Sequence, residues 1–396
     1  MMTKKRQSSS RKRTTKKQEA VTFITVLLLL LLCMGGLFIG DRLGLIEVDW
    51  QALLNSEELS NVISEPSSTP VVVEPITGEW YQLYFTTPTY PDEPATRAET
   101  IMQGLIGVIN KAQRSLDIAI YELNRDEIGD ALLAARNRGV AIRLVTDSDS
   151  LEEDETLIRL EKAGAPIIPD DRSPIMHNKF VVVDGQAVWT GSWNFTTNDT
   201  YRNNNHGIYI QSPELTQNYA VEFEEMFSQK AFGPTSPART PHPRLQLGDT
   251  LIETCFAPED DCADQLIVLI LQAQQSIRFM AFSFTHAEIG QAVIDRAKAG
   301  VIVQGVFETR GSETESSQLG GMKRQKLDVW QDGNPYTLHH KVFIIDDKIV
   351  VLGSFNFSEN ANRANDENML IIHNPDLAGQ FLGEFNRVYA QAQSAQ

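Results

Sequence analysis

The sequence predicts an α/β protein made of two copies of one unit. Strand-like and helix-like segments alternate along most of its 396 residues. The stretch at 109–147 resembles the stretch at 270–308, and Ala112 matches Ala273 just as Gly139 matches Gly300, a constant offset of 161 residues. Each copy also contains two apolar runs joined by a short turn, which is typical of a β-hairpin. We therefore expect two repeated α/β domains, each with a mixed sheet.

The elements of the first unit can be predicted in order from apolar spacing. They are a helix over 95–112, a strand over 115–121, a helix over 127–139 that ends at Gly139, a strand over 140–147, a helix over 154–164, and a hairpin of 180–185 with 187–192. The Asp-Gly pair at 184–185 forms the hairpin turn. The second unit repeats the hairpin with 342–347 and 348–354.

The N-terminus differs in composition from the rest of the chain. Residues 1–20 carry eight Lys or Arg against one Glu, and residues 21–40 carry no charge. Twenty apolar residues at a helical rise of about 1.5 Å match a bilayer core of about 30 Å. We therefore predict a basic cytoplasmic segment followed by one transmembrane helix, a retained signal anchor. The protein would be single-pass in the cell membrane, with its catalytic domains outside the cytoplasm.

Three alternatives to the retained anchor stay open. A cleavable signal peptide usually has a shorter apolar region that ends in small residues, and none are present here. A lipoprotein anchor at Cys33 would need small residues before it, whereas residues 30–32 are all Leu. A helix buried in a soluble core would be expected to alternate with polar residues. We predict that residues 41–80 form a tether, because residues 64–78 are rich in Pro, Ser and Val and their apolar residues show no regular spacing.

The remaining chain is predicted to hold two domains and a short connection. The first domain spans 81–232, the Pro-rich stretch at 233–250 is the linker, and the second domain spans 251–396. Cys255 and Cys262 would lie on the oxidising side of the membrane, so we predict a disulfide, with two free thiols as the alternative. Two Cys without neighbouring His do not form a zinc site.

Two motifs of identical internal spacing hold the candidate catalytic residues. Each reads His-x-Lys-x4-Asp-x6-Gly-Ser-x-Asn. Their members are His177, Lys179, Asp184, Ser192 and Asn194 in the first unit, and His339, Lys341, Asp346, Ser354 and Asn356 in the second. Two copies with one spacing are not a chance match.

These residue types suit chemistry at a phosphoryl group. Residues i and i+2 of a strand face the same side, so the His and Lys of each motif project together. The lysines would neutralise non-bridging oxygens, while the Asn amides and Ser hydroxyls donate hydrogen bonds. One His can attack phosphorus and form a phosphohistidine, while the other protonates the leaving oxygen and later activates water or an alcohol. This route needs no metal, and the spacing of acidic residues and His predicts no metal site or other cofactor.

The paired motifs resemble the signature of the phospholipase D superfamily, over roughly residues 81–392. The resemblance implies two α/β/α sandwich domains related by a pseudo-twofold axis, with one active site at their interface. It also implies that His177 is the nucleophile and His339 the general acid. Relatives commonly carry a carboxylate that binds a catalytic imidazole 28 residues after each motif His, where this chain has Asn205 and Glu367. The sequence leaves open which His Glu367 faces, and Asn205 is expected to support phosphate binding with Ser192 and Ser354.

Some polar residues have a structural alternative. Asp184 and Asp346 are included in the catalytic set because they belong to the motifs, but a role in the hairpin turn is the alternative. Four histidines lack a His at the equivalent position of the other unit, and we predict that they are structural or exposed. These are His206, His286, His340 and His373.

Charge and anchor together favour a lipid substrate. The formal net charge is −17, of which residues 1–20 contribute +7, which leaves −24 on the rest. That balance disfavours a polyanion whose binding relies on phosphate neutralisation. We therefore predict phospholipase D-type hydrolysis of phospholipids to phosphatidic acid at a membrane surface, by a monomeric catalytic unit. The headgroup preference stays open.

Three other functions stay open because the motif does not choose among them. A metal-independent endonuclease acting on DNA or RNA is the main one. Its groove could use six basic residues, which are Arg136, Arg138, Arg143, Lys323, Arg324 and Lys326. A phosphatidyltransferase resembling cardiolipin synthases and a non-catalytic phosphate-binding module are the other two.

Overall fold

The structure, a computed structural model, describes residues 74–395. Within that range, the first repeat has eight strands and six α-helices. A short 3₁₀ turn at 94–96 precedes the first α-helix. The elements are β1 (Ile76–Thr77), β2 (Tyr81–Phe85), α1 (Thr100–Lys111), β3 (Ser115–Ile120), α2 (Asp126–Asn137), β4 (Ala141–Thr146), α3 (Ser148–Glu153), α4 (Glu155–Lys162), β5 (Ile167–Pro169), β6 (Lys179–Val183), β7 (Ala187–Gly191), α5 (Thr197–Tyr201), β8 (His206–Gln211) and α6 (Pro213–Gln229).

The second repeat has the same number of strands and helices in the described part of the chain. The elements are β9 (Arg244–Leu247), β10 (Thr250–Ala257), α7 (Cys262–Gln272), β11 (Ser276–Ala281), α8 (Ala287–Lys298), β12 (Ile302–Phe307), α9 (Thr309–Ser312), α10 (Gln318–Arg324), β13 (Asp328–Gln331), β14 (Lys341–Ile345), β15 (Ile349–Gly353), α11 (Glu359–Arg363), β16 (Glu367–His373) and α12 (Pro375–Ser394).

The two sheets share one strand order, which confirms the predicted repeat. From one edge, the first sheet runs β5-β4-β3-β6-β7-β8-β2-β1 and the second runs β13-β12-β11-β14-β15-β16-β10-β9. The strand pairs β3–β4 and β4–β5 are parallel, as are β11–β12 and β12–β13. The β6–β7 and β14–β15 pairs are the predicted antiparallel hairpins. Both sheets are therefore mixed.

One apolar core joins the two repeats. It contains inner-face residues of both sheets together with residues of α6 and α12. Tyr219 of α6 packs its ring against Phe180 of the first sheet at 5.0 Å and against Phe256 of the second sheet at 5.2 Å. Two separate cores lie beneath α1 and α2 on the first sheet and beneath α7 and α8 on the second. Helices thus cover both faces of each sheet, and the described residues belong to one compact unit.

The predicted linker is partly wrong. Residues 244–247 form β9, which pairs antiparallel with β10, so the second sheet begins inside the segment 233–250. Gly248, with φ of +59°, makes the turn between the two strands. The Pro-rich composition of the segment concealed this short hairpin. At the other end, β1 of the first sheet lies inside the predicted tether and pairs with β2.

The N-terminal predictions concern residues outside the described part. Residues 1–73 contain the basic segment at 1–20, the predicted membrane span at 21–40 and most of the tether at 41–80, and these stay predictions. Within residues 74–395, no helix combines the length and apolarity required to span a bilayer.

The predicted disulfide is confirmed. Cys255, near the end of β10, is bonded to Cys262, the first residue of α7. The bond closes a loop of six residues, 256–261, on the second repeat. Both cysteines are buried.

Candidate active site

The two motifs meet in one cleft between the repeats. The cleft has a volume of about 380 Å³ and is lined by His177, Asn194, His339 and Asn356 among others. Each motif His is held at the interface by a backbone bond to the opposite repeat. The N–H of His177 donates to the carbonyl of Asp366 (3.0 Å), and the N–H of His339 donates to that of Asn204 (3.0 Å). Folding of the two repeats against each other therefore assembles the site.

His177 is paired with Glu367 across the interface. The distance from His177 Nδ1 to Glu367 Oε2 is 2.7 Å, and both side chains are buried. Burial lowers the pKa of His177 well below its ordinary value, and nearby Lys179 adds to the effect, so the imidazole is neutral as a nucleophile must be. Burial raises the pKa of Glu367 to about 8, although Lys179 opposes that shift. Of the two motif histidines, Glu367 therefore faces His177.

His339 has two partners in the first repeat. Its Nδ1 lies 2.9 Å from Asn205 Oδ1 and 3.4 Å from Asp199 Oδ2. The Asn205 side chain is fixed because its Nδ2 donates to the Asp199 carbonyl (3.2 Å) and its Oδ1 accepts from Ser192 Oγ (2.9 Å). Asn205 therefore presents its oxygen to the ring, and His339 Nδ1 carries the proton.

Asp199 is a carboxylate that the sequence reasoning missed. It is buried, and its carboxylate accepts the Asn194 N–H at 2.9 Å and the Asn203 amide at 2.5 Å. Burial alone would raise the pKa of Asp199, but His339 and these donors outweigh it and hold the pKa below the usual value. Burial lowers the pKa of His339, and the Asp199 charge opposes that shift.

The two repeats hold their carboxylates at different positions. At the offset of 162 residues that relates the motifs, Asp199 matches Ala361, and Asn205 matches Glu367. The first repeat therefore carries its acid on helix α5, and the second carries it on strand β16. Aligning the two repeats shows these mismatched positions, but the alignment alone does not show which histidine each carboxylate contacts.

The motif lysines lie beside the histidines, as the strand alternation predicted. Lys179 Nζ donates to the His177 carbonyl (2.7 Å), and Lys341 Nζ donates to the His339 carbonyl (2.8 Å). Both side chains are about 1% exposed. Burial lowers the pKa of Lys179 to about 8 and lowers that of Lys341 as well, with repulsion from Lys179 as the next cause. A bound phosphodiester anion would compensate for two positive charges held out of water.

The motif asparagines face the cleft with unsatisfied polar atoms. The Oδ1 atoms of Asn194 and Asn356 are buried and have no hydrogen-bond partner among the described residues. The amide O and N positions are interchangeable by rotation, so each side chain can offer an N–H to a substrate oxygen. The preceding Gly191 and Gly353 have φ of +151° and +140°, and a Cβ at either would come within 2.3 Å of a carbonyl oxygen on the neighbouring strand. The Gly of each motif is thus needed for close strand contact.

Comparison with known proteins shows the family of this chain. A family model described as "Cardiolipin synthase, PLD-like domain" matches residues 105–227 and again 266–389, which together exceed half of the chain. The chain belongs to the phospholipase D superfamily. A phospholipase D of Rickettsia felis is 32% identical over 176 residues, which cover 44% of this chain and 84% of that protein.

Other similar proteins carry the names of different enzymes. The Homo sapiens mitochondrial cardiolipin hydrolase is 31% identical over 138 residues, which cover 35% of this chain and 54% of that protein. The crystal structure of the Haemophilus influenzae phosphatidylserine synthase matches with a TM-score of 0.58 and 14% identity, over 80% of this chain and 87% of that one. That likeness shows a shared fold across both repeats.

Two motif positions of this superfamily member are not in the cleft. Asp184 accepts the backbone N–H groups of residues 113–115, and Asp346 accepts those of residues 274–276. Each aspartate sits at positive φ in its hairpin turn. The catalytic role assigned to them is therefore corrected: both tie the hairpin to the start of the neighbouring strand.

The motif serines also act indirectly. Ser192 and Ser354 are fully buried and do not line the cleft. Ser192 Oγ donates to Asn205, and Ser354 Oγ accepts the N–H of Asn368 at 3.0 Å. The predicted phosphate contact of Ser192, Ser354 and Asn205 is corrected, because all three position neighbouring side chains.

Two of the remaining histidines pair across the interface between the repeats. His206 Nδ1 lies 3.0 Å from His340 Nδ1, and both rings are buried. At the equivalent positions, Asn368 Nδ2 donates to Asn178 Oδ1 at 2.8 Å. His206 of the first repeat thus matches Asn368 of the second, and Asn178 matches His340. His286 caps helix α8 and His373 contacts Glu253, so these two are structural, as predicted.

Proposed function

We propose that the protein is a phosphodiesterase of phospholipase D type that hydrolyses phospholipid headgroups through a phosphohistidine on His177. The observation that carries this proposal is the pairing of His177 and His339 from different repeats in one cleft, each with Nδ1 bound to an acceptor. Nε2 of each ring is then the nitrogen available for chemistry. Similarity to proteins named phospholipase D and cardiolipin hydrolase supports the reaction class.

The first half of the reaction forms a covalent intermediate. Burial lowers the pKa of His339, but Asp199 and the negative charge of a bound phosphodiester both favour its protonated form. His177 Nε2 attacks phosphorus, the bond to the headgroup oxygen breaks, and protonated His339 gives its Nε2 proton to that oxygen. The ring of His177 becomes positively charged as the N–P bond forms. This charge favours the ionised form of the adjacent Glu367, and the carboxylate stabilises the ring in turn. Lys179 and Lys341 neutralise the non-bridging oxygens, a task that a metal ion performs in other phosphodiesterases.

The second half releases phosphatidic acid. His339, now neutral, takes a proton from water, and the water oxygen attacks phosphorus while the N–P bond breaks. His177 returns to its neutral form with Nδ1–H toward Glu367. An alcohol in place of water would give transfer, so the assay should resolve both products.

The charge around the cleft favours a lipid over a polynucleotide. None of the six basic residues considered for a nucleic-acid groove lines the cleft. Arg143 is neutralised by Asp117 and Glu224, each at 2.7 Å. Arg136 and Arg138 donate to backbone carbonyls. The predicted membrane span at 21–40 would hold the cleft near phospholipid headgroups.

The substrate class can be tested with the full-length protein in mixed micelles. In EDTA, we expect headgroup release from phosphatidylcholine, phosphatidylethanolamine or cardiolipin to exceed cleavage of single- or double-stranded DNA and RNA by at least about 100-fold, and His177→Ala should serve as the inactive control. Metal-independent cleavage of nucleic acid without headgroup release would contradict the lipid proposal and favour the endonuclease.

The pKa of Lys179 predicts the alkaline limit of activity. Its pKa of about 8 lies below its ordinary value, so it is charged below that pH and loses its charge above it. We expect kcat/KM to fall roughly tenfold per pH unit above about 8, because this profile reports groups of the free enzyme. Glu367 titrates in the same range. If kcat/KM of a Glu367→Gln variant still falls at alkaline pH, the fall is assigned to Lys179. If the fall disappears in that variant, the prediction is contradicted.

A further inference from the structure

A second group of buried carboxylates lies outside the catalytic cleft. Glu222 and Glu225, one turn apart on α6, face Glu259 in the disulfide-closed loop of the second repeat. One oxygen atom from each carboxylate lies within 4.8 Å of the other two. Glu222 and Glu225 are only 3% and 2% exposed. None of the three lines the cleft that contains the histidines.

The equivalent positions of the second repeat hold an acidic and a basic residue. At the offset of 162, Glu222 matches Glu384 and Glu225 matches Arg387. Arg387 binds Glu384 through two hydrogen bonds of 2.6 and 2.8 Å, and His340 adds a third contact at 3.1 Å. The carboxylate of the second repeat is therefore neutralised by a guanidinium on its own helix.

In the first repeat, an acidic residue replaces the arginine of that ion pair. Glu225 occupies the position of the arginine, and Asn178 occupies that of the histidine, with its amide 3.5 Å from Glu222. Glu259 then adds another carboxylate. Within residues 74–395, no cation forms an ion pair with these carboxylates as Arg387 does with Glu384.

Two oxygen atoms of these buried carboxylates have no hydrogen-bond partner in the described part of the chain. Glu225 Oε1 and Glu259 Oε2 are both buried without a partner among residues 74–395. Arg239 lines the same hollow, but it is exposed and forms no ion pair with these carboxylates within the described chain. Burial raises the pKa of Glu225 to about 7 and that of Glu259 to about 7, and it raises the pKa of Glu222 well above its ordinary value. Carboxylates in this state are normally paired or bound to a metal.

We propose that Glu222, Glu225 and Glu259 bind one hard divalent cation, Ca²⁺, which replaces the guanidinium of the second repeat. All the donors are carboxylate oxygens, the ligand type that Ca²⁺ prefers, and the cluster contains no Cys or His from the described residues that would favour zinc. Oxygen atoms within 4.8 Å of one another can share an ion with bonds of about 2.4 Å. The ion ties α6 of the first repeat to the disulfide loop of the second. Its role is to stabilise the interface, separately from the phosphodiester chemistry.

Thermal unfolding and calorimetry of the full-length protein in detergent test this site. After removal of metals with EDTA, added Ca²⁺ should raise Tm in a saturable way, and calorimetry should detect one bound ion per chain. Glu225→Gln should weaken Ca²⁺ binding at least tenfold. Glu214→Gln, an exposed position on the same helix, is the charge-matched control and should leave the response unchanged.

Glu225→Arg provides the sharper variant, because it copies the arrangement of the second repeat. It should raise Tm in EDTA and abolish the response to Ca²⁺. The proposal is overturned if calorimetry of the wild-type protein detects no Ca²⁺ binding and Ca²⁺ leaves Tm unchanged, whatever the behaviour of the variants. Protons would then balance the charge, and Tm in EDTA would rise as pH falls through about 7, because the folded carboxyls take up protons that the unfolded ones do not.

Discussion

Replacing His177 by alanine should reduce turnover to background on every substrate, whereas the effect of His339→Ala should depend on the leaving group. Without His177, no covalent intermediate forms. Without His339, attack at phosphorus continues if the leaving oxygen needs no proton. Loss of general acid catalysis costs about 10²–10⁴-fold, or roughly 3–5 kcal/mol, with an alkoxide leaving group. With p-nitrophenolate, most of that cost should vanish.

The measurement is single-turnover kinetics of both variants on a phospholipid and on a p-nitrophenyl phosphodiester. His373→Gln is a suitable control, because that histidine contacts Glu253 and does not line the cleft. Equal losses for both variants on both substrates would contradict the division of roles. A residual p-nitrophenyl activity in His177→Ala that exceeds that in His339→Ala would reverse the assignment.

Asp199→Asn should impair the acid function of His339 while leaving attack by His177 intact. An opposite charge within about 4–6 Å shifts a pKa by about 1–3 units, and Asp199 lies 3.4 Å from the ring. Loss of that charge lowers the pKa of His339 and therefore the fraction of imidazolium. We expect a loss of about 10–100-fold in kcat/KM on phospholipid at neutral pH, because deprotonation of His339 then limits activity at a lower pH than the deprotonation of Lys179 that sets the alkaline limit of the wild type. Activity on the p-nitrophenyl substrate should stay near that of the wild type.

The two repeats supply a matched rescue for this variant. Combining Asp199→Ala with Asn205→Glu gives the first repeat the arrangement that Ala361 and Glu367 have in the second. The double variant should recover most of the activity that Asp199→Ala loses. If Asp199→Asn loses activity on both substrates to the same extent with an unchanged pH profile, then Asp199 only supports the turn around Asn194 and Asn203.

The sequence could predict what depends on local pattern. The hairpins, the repeat and the convergence of His with Lys follow from periodicity and spacing, because strand alternation fixes which side chains share a face. The disulfide was predicted from the proximity of the two cysteines in sequence and their expected place on the oxidising side of the membrane. Helix α1 was predicted from 95 but begins at Thr100, because Pro94 starts a separate 3₁₀ turn. The hairpin turns were located correctly, yet Asp184 and Asp346 point back to the backbone and away from the cleft.

Features that depend on the packing of the repeats could not be predicted. Glu367 reaches His177 from the opposite repeat, 190 residues away in sequence, and only the shared interface brings them together. Asp199 lies five residues beyond Asn194 on a short helix and belongs to no motif. Its contact with His339 also crosses the interface. A single chain position carries no signal of its partner in the opposite repeat.

Trapping the covalent intermediate tests the central claim most directly. His339→Ala should be mixed with a p-nitrophenyl phosphodiester, quenched in alkali, digested and examined by mass spectrometry. Removal of the residue that activates water should slow the second step, so we predict a stoichiometric phosphoryl adduct on the peptide that contains His177, and none in His177→Ala. An adduct on His339 in His177→Ala, or no adduct in either variant despite release of p-nitrophenol, would contradict the mechanism.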